Sequence, residues 1–181
     1  MTAARAWARR MGLLAAAAIG AAAGASATAC DPVQAEAIDR LGPEKSGVPK
    51  GPRHRAGQPC MTCHASDSIA TPFTAAGTIY KTYGSLEPLA GATVQLTDAR
   101  GATIAALTNE VGNFYLLPSQ WTPIYPVTTA ISFGGVTTEM KTRIGRDGSC
   151  ADCHLDPEGP GSAGHIRLVV APADYPGAAP P

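Results

Sequence analysis

Between residues 74 and 142 apolar and polar positions alternate with a period of two, in short runs separated by glycine-bearing turns. That period belongs to strands with one face buried. Gly77–Thr78–Ile79–Tyr80 reads as a first strand, followed by a loop with Gly84 and Pro88. Residues 92–97 alternate cleanly, and Asp98–Ala99–Arg100–Gly101 turns the chain into a run over 103–108. Asn109–Glu110–Val111–Gly112 turns again into 113–117. Runs over 127–133 and 136–144 are joined at Gly134–Gly135, and 166–170 reads as a last strand. Strands at this spacing predict a mainly β fold, an antiparallel β-sandwich with coil segments before and after it.

A helical period is found in residues 31–41. Asp31 suits the cap, Pro32 the first position, and Val33, Ala37, Ile38 and Leu41 share one face before Gly42–Pro43 ends it. Pro49, Pro52 and Pro59, with Gly47, Gly51 and Gly57, predict an extended course from there to residue 59.

The first 29 residues have another character. Arg5, Arg9 and Arg10 precede a small apolar stretch over 11–25, too short and too rich in Ala and Gly to span a bilayer stably. This is the pattern of an export signal. Ala27–Thr28–Ala29 before Cys30 satisfies ordinary signal peptidase and also resembles a lipobox, and both readings cut the same bond. Ala27 stands where bacterial lipoboxes usually carry Leu.

The expected division is a signal peptide (1–29), a lipidated N-terminus and Pro/Gly-rich tether (30–59), and a first cofactor segment (60–73). The sandwich (74–145), a second cofactor segment with the last strand (146–171) and a poorly ordered tail (172–181) follow. Charge is balanced at 14 basic and 14 acidic residues. Removal of residues 1–29 takes away three arginines and no acid, leaving 11 against 14. No basic patch of the kind that binds nucleic acid is present.

Two stretches carry a resemblance. Leu89–Ala90–Gly91–Ala92–Thr93–Val94–Gln95–Leu96 and Thr108–Asn109–Glu110–Val111–Gly112–Asn113–Phe114 are similar to the carboxypeptidase regulatory-like (transthyretin-like) sandwich family. The likeness covers about residues 74–142, and Asn109 stands where that family usually has Asp. The family is a structural module without chemistry of its own, so the resemblance implies a fold and not an activity.

The chemistry lies outside it. Cys60–Met61–Thr62–Cys63–His64 and Cys150–Ala151–Asp152–Cys153–His154 both match the c-type haem attachment signature. Thiols three residues apart can each form a thioether to one of two vinyl groups on adjacent pyrroles, and the following imidazole ligates the iron. The motifs use four of the five Cys. Cys30 would be an odd thiol in an oxidising compartment, which favours its lipidation.

Two alternatives stand beside haem: a zinc site built from Cys60, Cys63, Cys150 and Cys153, or disulfides within the pairs. Zinc does not require a His after each pair, and the βαβ setting of a thioredoxin-like site is absent. The four histidines add weight to haem. His64 and His154 are proximal ligands on that reading, and His54 and His165 are expected as distal ligands, giving two bis-His irons. Which distal His serves which haem stays open. Met140 is the competing distal ligand, although its place in an apparent strand favours core packing.

The expectation is a lipid-anchored electron carrier, not an enzyme. It would carry two covalent haem c groups in the bacterial periplasm or at the cell surface, and meet redox proteins of the envelope. The alternatives are an envelope interaction sandwich whose CxxC pairs hold zinc or disulfides, and a haem sensor or enzyme with one five-coordinate iron.

Overall fold

The computed structural model describes residues 32–66, 68, 70–82, 85–154 and 160–168. The segment expected to be an export signal, Cys30, Asp31 and the residues after 168 lie outside the described residues. The chain divides into two units, residues 1–36 and 37–181. Of the first, only residues 32–36 are described, and they open helix α1 (Pro32–Arg40). The helix stops as the sequence predicts, with Gly42 at a φ of 69° and its N–H donating to Asp39 O at 3.1 Å. Among the described residues no helix is long and apolar enough to cross a membrane.

The second unit is mainly β, as the alternation requires. Its strands are β1 (Ala75–Thr78), β2 (Thr93–Thr97), β3 (Thr103–Leu107), β4 (Asn113–Leu116), β5 (Thr128–Phe133), β6 (Val136–Glu139) and β7 (Gly148–Ser149). They form two sheets of a sandwich, ordered β4-β1-β7 and β3-β2-β5-β6. The four-stranded sheet is antiparallel throughout, with Val94 opposite Ala106 on one side and Ile131 on the other. In the smaller sheet β1 runs antiparallel to β4 but parallel to β7.

The core lies between the sheets, where Ile79, Leu89, Val94, Leu96, Leu116, Val127 and Leu168 are almost wholly buried. Asp98 closes the β2–β3 turn by accepting from the Arg100 and Ala102 N–H groups at 2.9 Å each. Burial opposes its charge. The N–H donors of Ile124, Ala102 and Arg100, with the Arg100 guanidinium, more than offset that and hold its carboxyl below the usual range.

Three departures from the sequence reading have physical causes. The first strand starts two residues earlier than expected, at Ala75, and all four of its residues are buried. A strand covered on both faces has no polar side to alternate with, and Ala-Ala-Gly-Thr carries little hydrophobic signal. The run over 166–170 is, within the described residues, a single bridge. Tyr80 N–H donates to Ile166 O at 2.9 Å and Leu168 N–H to Tyr80 O at 3.3 Å. Finally, residues 51–58 are folded into turns instead of extended. Polar side chains of the sandwich bind their carbonyls.

Candidate haem-binding site

The first motif is one turn of helix, α2 (Met61–His64), entered from Cys60 in a helical conformation. Cys63 and His64 N–H groups both donate to Cys60 O, at 3.2 and 3.0 Å. The second motif is a 3-10 turn (Cys150–Asp152) entered from β7. There Cys153 and His154 N–H groups both donate to Cys150 O, at 3.3 and 2.9 Å. Two segments 90 positions apart in sequence thus make the same turn. In each, the thiols lie one turn apart and the imidazole follows directly.

The repetition extends to the histidine rings. His64 Nδ1 is 2.6 Å from Thr71 O, and His154 Nδ1 is 2.6 Å from Gly164 O. A carbonyl oxygen only accepts, so each Nδ1 must carry the proton. In the neutral tautomer this leaves the lone pair on Nε2, where it can bind a metal. Such a bond fixes both tautomer and ring direction, as outer-shell partners of metal-bound His do. Further backbone bonds close each loop: Phe73 N–H to His64 O and Ala163 N–H to Cys153 O, both at 2.8 Å.

Both spare histidines lie near a motif, His54 beside His64 and His165 on the same cavity lining as His154. The His54 ring centre is 5.9 Å from that of His64, with the planes at 65°. Two imidazoles on opposite sides of one metal ion have ring centres about 6 Å apart, given metal–nitrogen bonds of about 2 Å. His64 also stacks on Phe73 at 3.9 Å, and Phe73 stacks on Tyr115 at 4.8 Å. His54 Nδ1 sits 3.9 Å from Glu44 Oε1. His165, packed against Tyr80 at 4.9 Å, lines a cavity of about 920 Å³ together with Cys150, Cys153 and His154.

That cavity tests whether a haem suits the second motif. Its volume is at the upper end of ordinary cofactor sites, roughly 300–1,000 Å³. Ile79, Phe114, Ile131 and Ile166 supply apolar walls, and the exposed cations Lys141, Arg143 and Arg146 lie on its lining, where carboxylates could be met. Met140 also lines it. Its N–H donates to Thr129 O at 2.9 Å just beyond β6, and its side chain is only half-buried. Core packing, the role its place in sequence suggested, does not describe it.

The loop that carries His54 is held by residues to which the sequence assigned no part in the site. Asn113 Nδ2 donates to His54 O at 3.0 Å and Pro52 O at 3.3 Å. Asn109 Nδ2 donates to Pro52 O at 2.7 Å, while its Oδ1 accepts from Val111 and Asn113 N–H at 3.1 Å each. The side-chain oxygen makes the turn and the side-chain amide docks the loop. Asp at this position would keep the first role and lose the second. Thr78 Oγ1 accepts from Gly57 N–H at 2.8 Å and donates to Asn113 Oδ1 at 2.7 Å. Arg53 and Glu110 add an exposed bidentate pair at 2.9 and 3.0 Å. The one available signal was two polar residues, Thr78 and Asn113, at buried strand positions.

All four motif cysteines are free thiols. Burial pushes the Cys60 thiol up to about 11, with Asp152 and Cys63 adding to the shift. Burial, and next the neighbouring Cys60, push the Cys150 thiol up to about 12. Among the described residues no group of three or more His, Cys, Asp or Glu is arranged to hold a metal ion by itself.

In comparison with known proteins, no family model, no curated protein and no solved structure matches this chain.

Proposed function

We propose that this chain is an exported dihaem c-type cytochrome that carries electrons. The observation that carries the reading is the duplicated turn. Each CxxCH segment sets its thiols one turn apart and holds the following His with Nδ1 protonated and Nε2 available. Cys60 and Cys63 would anchor one haem, with His64 as proximal and His54 as distal ligand. Cys150 and Cys153 would anchor the other, with His154 proximal and His165 distal. When bound, haem iron supplies one-electron chemistry between its ferric and ferrous states.

The protein's part is to hold those ligands. Thr71 O and Gly164 O fix the proximal rings, Phe73 fixes the plane of His64, and Asn113 with Asn109 holds the loop of His54. Two imidazoles per iron leave no coordination position for a substrate, which favours a carrier over a catalyst. Cell-envelope redox proteins are the proposed partners. A lipid at Cys30 is the proposed anchor to a membrane.

A pyridine haemochrome assay on protein matured in a host with cytochrome c machinery should give two haems per chain that resist acid–acetone extraction. Absence of haem would refute the reading and return the interaction-module alternative.

A further inference from the structure

The two motifs share a single mount. Strand β1 (Ala75–Thr78) pairs with β7 through Ala75 opposite Gly148 and Ala76 opposite Ser149, and Cys150 follows immediately. A side chain at Gly77 would have its Cβ 2.8 Å from Cys150 Cβ and 3.0 Å from Cys150 Sγ, so the thiol lies directly on that residue. The next residue, Thr78, takes the Gly57 N–H at 2.8 Å, three positions before Cys60. At the other end of the strand, Phe73 N–H binds His64 O and His64 Nδ1 faces Thr71 O. The first motif is thus tied to the chain at both ends of β1, and the second is tied along its edge and against Gly77.

Resting on the dihaem reading above, we propose that β1 is a common platform that sets the Cys60 and Cys150 attachment points next to each other, so that the two centres behave as one coupled redox pair and not as independent carriers. The composition of β1 follows from that duty. Ala75, Ala76 and Gly77 are small because the strand is covered on both faces, and Gly77 is the position where any side chain would displace the Cys150 attachment. The parallel β1–β7 pair, Ala75 with Gly148 and Ala76 with Ser149, is also what brings the chain just before Cys150 alongside β1.

The test uses the intact, haem-loaded protein. Electron paramagnetic resonance spectra are recorded fully oxidised and then half reduced, with haem content measured on the same sample. Adjacent ferric centres should broaden one another, so the oxidised signal should fall short of two isolated low-spin spectra. The remaining ferric signal should sharpen at half reduction. Two haems whose oxidised spectrum is the plain sum of two independent centres would overturn the shared platform while leaving the cytochrome reading in place. A chain with no haem would instead overturn the cytochrome reading, and the pair with it.

Discussion

Replacing Asn113 by Leu tests how the chain holds its first histidine over the first motif. Asn113 is 8% exposed and links three elements: Thr78 in β1, its own strand β4, and the loop carrying Pro52 and His54. Leu has the same branched outline and the same number of side-chain heavy atoms, and it leaves the backbone pairing of Thr78 with Asn113 intact. Pro52 O keeps its bond from Asn109 at 2.7 Å, so it is not stranded. The losses are confined to His54 O and to the donor side of the Thr78 hydroxyl. A buried polar group that loses its partner costs about 1–3 kcal/mol. The Thr78 hydroxyl still accepts from Gly57 and can rotate, so it belongs at the lower end of that range. The sum is about 2–4 kcal/mol, or roughly 30- to 900-fold in the opening of the loop.

Native-state hydrogen exchange reads this directly. The Gly57 and His54 amides, bonded at 2.8 and 3.1 Å in the wild-type fold, should exchange faster by that factor. Amides in β2 and β5 should keep their rates. In the haem-loaded protein the first iron should lose part of its low-spin signal as His54 leaves. Unchanged exchange at Gly57 would refute the assigned role of Asn113. Uniform acceleration of every amide would show that the loop opens only with the whole domain.

Two further outcomes follow from the site. His165→Ala should leave both haems attached and turn only the second iron high-spin, with a raised potential for want of one imidazole. Met140→Ala should leave both spectra unchanged, and the opposite pattern would make Met140 the ligand, since both line the same cavity. Mass spectrometry of the mature N-terminal peptide should find Cys30 lipidated, and an unmodified Cys30 would refute the anchor while leaving export intact.

The parts that sequence alone determined are those governed by neighbours along the chain. Alternation places β2, β3, β4 and β5 within a residue or two, because a half-buried strand writes its burial into every second position. The CxxCH spacing sets each thiol–thiol–imidazole unit, because three or four consecutive residues in one turn fix their own geometry. Gly42 ends α1 where it was expected to. What tertiary structure decided are relations between segments far apart. The parallel join of β1 to β7, the reduction of 166–168 to a bridge, and the placing of His54 beside His64 and of His165 on the cavity lined by His154 have no local signature. The carbonyls of Thr71 and Gly164, which set both imidazole tautomers, belong to the backbone and are invisible to residue type. Asn109 shows the difference within one side chain. Its oxygen makes a turn that the sequence predicts, while its amide docks a loop 57 positions earlier that only the folded chain brings within reach.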